Sequence, residues 1–77
     1  MPISKLIHAE EDALIEDTRD YVKSLRPILP ISLKMTTTSA YVCPEGSKGT
    51  FLVGENVRDV SRQVRELVGS LINPLLN

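Results

Sequence analysis

Val57, Val60, Val64, Leu67 and Leu71 recur at spacings of three and four residues, separated almost entirely by charged and polar side chains. That rhythm places them on one face of a helix, because 3.6 residues per turn brings positions i, i+3, i+4 and i+7 into register. The spacing predicts a helix from about Val57 to Ile72, with Val68 in the same apolar arc. Asn56 suits its N-cap, with Asp59 three residues on, near the positive end of the helix dipole. Asn73 and Pro74 should stop it. Such a stripe must be covered, either by a layer from the rest of the chain or in part by another chain.

The segment from about Ile3 to Leu25 predicts a second amphipathic helix. Ile3, Ile7, Leu14, Thr18, Tyr21, Val22 and Leu25 share one side, with Leu6 and Ala13 on its flank, while Asp12, Glu16, Arg19, Asp20 and Lys23 lie opposite. Pro2 or Ser4 suits its start, and Pro27 disfavours helical geometry at Arg26. Glu10, Glu11 and Asp17 fall near or inside the apolar arc, which calls for a basic neighbour. Arg58, Arg62 or Arg65 of the last helix, or a basic partner surface, would supply it.

Between the helices the pattern changes. Pro27-Ile28-Leu29-Pro30 reads as an extended connector. Ile31-Ser32-Leu33-Lys34-Met35-Thr36 alternates apolar with polar, and the β-branched Thr36, Thr37 and Thr38 favour a strand. Pro44-Glu45-Gly46-Ser47-Lys48-Gly49 is turn chemistry between the extended runs Ala40–Cys43 and Thr50–Val53. A β-hairpin centred on residues 44–49 follows, with Ile31–Thr38 either continuous with its first strand or bent into it. The fold class is therefore α+β: an N-terminal helix, a small antiparallel sheet with a β-hairpin, and a C-terminal amphipathic helix, in the order αββα or αβββα. Residues 1–77 read as a single small domain.

Composition limits the function. A chain of 77 residues builds a marginal core, and one cysteine with one histidine forms neither an internal disulfide nor a Cys/His zinc set. Association with another chain is then the favoured staple. The net charge of −1 gives no overall pull toward nucleic acid or anionic lipid. The charge is nonetheless uneven, with Glu10, Glu11, Asp12, Glu16, Asp17 and Asp20 clustered early and Lys23, Arg26, Lys34 and Lys48 in the middle. No apolar run approaches a membrane span and no signal peptide opens the chain, so a cytoplasmic protein without membrane contact is expected.

No constellation carries a specific chemistry. His8 and Cys43 could form a base–nucleophile pair, but no third group is singled out to orient them, and packing and surface roles suit both. The acids of Glu10–Asp20 have helical spacing without the glycine-bearing loop of a calcium site. Gly46-Ser47-Lys48-Gly49-Thr50 lacks the spacing of a phosphate-binding loop and joins strand to strand. No catalytic residue, metal site or cofactor is expected, and no enzyme.

The surplus of aliphatics points to binding. Ile28, Leu29, Val64, Leu67, Leu71, Leu75 and Leu76 are the expected interface residues of a protein–protein interaction module, a small adaptor, regulator or assembly subunit that self-associates as a homodimer or docks on a partner. The alternative is a dimeric nucleic-acid-binding regulator. It would use the 31–43 ribbon with Lys34 and Lys48, and the row Arg58, Arg62, Arg65.

Overall fold

The computed structural model describes the backbone of residues 3–76 and the side chains of residues 10–76. The expected roles of Pro2, and of the side chains of Ile3, Ser4, Leu6, Ile7 and His8, lie outside the described residues. The element order is α1 (Ile3–Ser24), β1 (Ile31–Met35), β2 (Ser39–Pro44), β3 (Thr50–Val53) and α2 (Val57–Leu76). The three strands form one antiparallel meander in the order β1-β2-β3. Both helices pack on the same face of it, α1 over β1 and α2 over β2 and β3. The architecture is αβββα.

Each element has a local cause. In α1, Thr18 and Val22 are buried, Leu14, Tyr21 and Leu25 are half-buried, and the five residues expected to face water are exposed. Ile15, which was not among the residues expected on the apolar side, also packs against the core. The extended connector expected at residues 27–30 is corrected: after Ser24 the chain tightens into a turn in which the Ile28 and Leu29 N–H groups both donate to the Leu25 carbonyl, and only residues 29–30 lead on without a turn. In α2 the Asn56 side-chain oxygen accepts from the Asp59 N–H at 2.9 Å, the expected N-cap. The Asp59 carboxylate in turn accepts from the Glu55 N–H at 3.1 Å and pairs with Arg62.

That backbone donor first, and the Arg62 guanidinium second, hold the Asp59 carboxyl below the usual carboxylate range. A depressed acid stabilises the fold fully above its unfolded-state pKa. The contribution is lost as pH falls through the lowered folded-state value.

The sheet resolves the middle of the chain. Thr36–Thr38 is a tight turn, and it separates two strands that the threonine run had suggested could be continuous. The Thr36 hydroxyl accepts from the N–H groups of Thr38 and Ser39, and the Thr36 N–H donates to the Ser39 carbonyl at 2.9 Å. Hydroxyls thus perform the reversal that glycine or asparagine more often performs. The β2–β3 turn lies where expected. The Ser47 N–H donates to the Pro44 carbonyl and Gly46 has φ of +77° with Glu45 at negative φ, the arrangement of a type II turn. Gly54 ends β3, and a Cβ there would press on Val60 and Asp59 at the start of α2.

One expectation about α2 is corrected. Pro74 does not stop the helix, which runs on to Leu76. Proline removes a single N–H and disturbs the carbonyl four residues back, which belongs here to the exposed Ser70. Near an exposed terminus water can solvate that carbonyl, so the helix tolerates the break.

The core lies between the helix layer and the inner face of the sheet. It consists of Val22, Ile31, Met35, Ala40, Val42, Val57, Val60, Val64, Val68 and Ile72. Where the helices cross, the Thr18 and Ser61 hydroxyls meet at 2.7 Å, both buried. Thr18 gives its proton to the Leu14 carbonyl, so Ser61 is the donor between them. Small side chains at this point let the helices approach, and the hydrogen bonds remove the cost of burying the hydroxyls.

Candidate interaction surface

Among the described residues no layer lies over the outer face of the sheet. Strand alternation sends Ser32 and Lys34 of β1, Ser39, Tyr41 and Cys43 of β2, and Phe51 and Val53 of β3 to this side. Register places Lys34 opposite Tyr41 and Tyr41 opposite Phe51, so the three form one row across all the strands. Tyr41 is 42 % exposed, Phe51 64 % and Val53 65 %. Of the three aromatic residues in the chain, two therefore stand on open surface.

Tyr41 is held there by Gly49. Its ring lies where a side chain at 49 would be, and even a methyl group would collide with the ring carbons and hydroxyl. The glycine at the base of β3 thus gives the tyrosine ring a seat against the backbone.

The seven expected interface residues are placed differently from one another. Ile28 is exposed on the connector, and Leu75 and Leu76 are 55 % and 65 % exposed at the end of α2. Leu29 and Leu67 are half-buried against the core, and Leu71 is half-buried. Val64 is fully buried within the chain, at the centre of the stripe under the sheet, so it is not an exposed contact residue. The outer-face residues Tyr41, Phe51 and Val53 were not anticipated. Their signal in the sequence is that Ala40-Tyr41-Val42-Cys43 and Phe51-Leu52-Val53 are apolar at both parities, as a strand with two apolar faces is.

The arginine row belongs to the helix layer, away from the outer sheet face. Arg65 bonds Asp17 of α1 at 3.2 Å and stands 4.8 Å above the Tyr21 ring. The acid inside the α1 arc therefore meets a base of the last helix, as its position required. Arg62 pairs with Asp59 and Glu66 on its own helix. The three arginines, with Glu66, Leu14 and Ser61, line a shallow groove of about 440 Å³. Arg58 also borders a neighbouring hollow that contains Glu10 and Glu11. The row is thus interleaved with carboxylates. Lys34 and Lys48 are exposed on the sheet and on the β2–β3 turn, so they and the arginines do not form one basic surface.

Cys43 is half-buried at the end of the sheet. Its thiol sits 3.6 Å from the Ser47 carbonyl and 3.8 Å from that of Pro44, as a weak donor would. Its proposed base, His8, has a side chain outside the described residues. Among the described residues no three His, Cys, Asp or Glu side chains converge as a metal site would require, and no helix is long and apolar enough to cross a membrane. No protein-family model, no curated protein and no solved structure matches this chain, so its interpretation rests on its own geometry.

Proposed function

We propose that the chain is a non-enzymatic protein–protein interaction module, a small adaptor, regulator or assembly subunit of the cytoplasm. It works by burying the outer face of its sheet against a second protein chain. The observation that carries this reading is the exposure of Tyr41, Phe51 and Val53 together on a face that no described residue covers. Aromatic residues are the side chains most enriched at the centres of protein interfaces, and a contiguous apolar patch on a small domain marks a contact site. Leu75 and Leu76 add a second exposed aliphatic element at the end of α2. The acids of α1, exposed on the opposite layer, would orient an approaching partner and raise its on-rate more than its affinity.

A second reading draws on the Lys34–Tyr41–Phe51 row. An aromatic pair beside a lysine on an open antiparallel sheet is a surface on which unpaired bases can stack. The two readings separate by salt. Light scattering over a range of protein concentrations, at low and high salt, should show association that survives high salt, because apolar burial is little screened. A monomer at every concentration that binds a single-stranded oligonucleotide, and releases it as salt rises, would favour the second reading and overturn the first.

A further inference from the structure

The two free edges of the sheet are unlike. At β1 the edge is guarded: Pro30 precedes it, Lys34 projects from it, and Arg19, Lys23 and Arg26 line a hollow with Ile31 and Leu33 beside it. Lysine and proline are common means by which proteins keep an edge from pairing with another chain, and a second copy brought to this edge would meet a cluster of like charges. At β3 the edge is Thr50-Phe51-Leu52-Val53, with neither charge nor proline.

The ladder shows what that edge presents. The Gly54 N–H donates to the Thr38 carbonyl, and the same register pairs Ala40 with Leu52 and Val42 with Thr50. Thr50, Leu52 and Gly54 therefore turn their backbone groups toward β2. By the alternation of an antiparallel pair, Phe51 and Val53 turn theirs to the free edge. The Val53 carbonyl accepts from the Gln63 side chain of α2 at 2.9 Å. Phe51 offers both an N–H and a C=O there, the pair of groups that a residue on a two-fold axis exchanges with its own copy.

The helix above agrees. Gln63 shows which flank of α2 overlooks this edge, and Leu67, Ser70 and Pro74 continue that flank at i+4, i+7 and i+11. These four are uncharged; Asp59, which accepts from the Gln63 amide, and Glu66 share the flank and are both paired with Arg62, and Arg65 on the other flank turns to α1. Strand spacing is about 4.8 Å, and α2 lies over both β2 and β3. Continuing the sheet through β3 would set two α2 axes roughly 10 Å apart, at the upper end of ordinary helix packing.

We propose that the chain forms a homodimer by antiparallel pairing of β3 with β3 of a second copy about a two-fold axis at Phe51, giving a six-stranded sheet with paired α2 helices. This rests on the interaction-module reading and adds a second copy at the edge of the sheet, which widens the outer face offered to the partner without covering it. The pairing joins two Lys34–Tyr41–Phe51 rows into one line of four aromatics with a lysine at each end. The uncharged β3 edge allows it, because an isologous contact sets a surface against itself, and on the helix flank Arg62 offsets the carboxylates of Asp59 and Glu66.

The test is solution mass, by light scattering, of the wild type, Phe51→Pro, Val53→Lys and the double variant Leu75→Lys, Leu76→Lys. Amide exchange of the wild-type Phe51 N–H is followed at low and high protein concentration. Phe51→Pro removes an N–H that points away from β2, and Val53→Lys places a charge at the edge. Both should have the mass of the single 8.5 kDa chain at concentrations where the wild type is a dimer. The Leu75, Leu76 variant should remain dimeric, and the Phe51 amide should be protected only where the dimer is populated. If Phe51→Pro fails to fold, Val53→Lys and the exchange rates decide. A dimer that is indifferent to both edge variants and dissociates in the Leu75, Leu76 variant overturns the β3 pairing while leaving the module reading standing. A wild type that is monomeric throughout overturns the pairing, and salt-sensitive oligonucleotide binding by that monomer overturns the module reading as well.

Discussion

The two faces of one small sheet carry opposite kinds of apolar residue. The inner face holds Ile31, Met35, Ala40 and Val42, all buried. The outer face holds Tyr41, Phe51 and Val53, all exposed. The two aromatic side chains of the sheet are thus on the side that no described residue covers, and among the described residues the one aromatic packed against the core is the half-buried Tyr21 of α1. A chain selected only to fold as a monomer gains most by turning its aromatics inward, since each offers more area to remove from water than a valine does. The reverse arrangement assigns the inner face to folding and the outer face to contact.

Substitutions should separate those roles. The largest effect is expected from Val42→Asp, which places a carboxylate at a fully buried inner-face position. It should leave the chain unfolded by circular dichroism at neutral pH. Asn56→Ala, which removes the α2 cap and touches neither face, should cost about 1 kcal/mol. Gly49→Ala should cost about 1 kcal/mol at most in a denaturant titration, because the tip of the exposed Tyr41 ring can swing off the backbone. Phe51→Ser should change the stability of the dilute monomer by no more than about 0.5 kcal/mol while reducing association. If Phe51→Ser instead destabilises the monomer as much as Asn56→Ala, the outer face belongs to the fold and the contrast between the faces fails.

How much of this could be read in advance differs from element to element. The helices were legible because a 3.6-residue rhythm leaves little ambiguity when the intervening residues are charged. The β2–β3 turn was legible because Gly46 supplies a conformation that few other residues adopt. The β1–β2 turn was hidden, since Thr36 and Ser39 build it from hydroxyl groups in a run of residues that favour strands. That a small sheet between two helices keeps a second face in want of cover was legible, but which residues stand on it was hidden for another reason. Where apolar residues occupy both parities, as in Phe51-Leu52-Val53, alternation no longer distinguishes inside from outside, and only the location of the helices decides. The interface expected at Val64 failed on the same ground. A stripe announces that a residue will be covered, but not whether its own chain or another will cover it.

One property of the core bears on how the chain folds. The buried side of α2 is built from Val57, Val60, Val64 and Val68, and β-branched residues are stiff at χ1 and only moderate helix formers. Excised as a peptide, α2 should have little helical content. The same stiffness is useful once the sheet is in place, because a valine has few rotamers to give up on burial. The last helix is therefore an element whose order is conferred by the strands that precede it, which ties the acquisition of local shape to long-range closure of the chain.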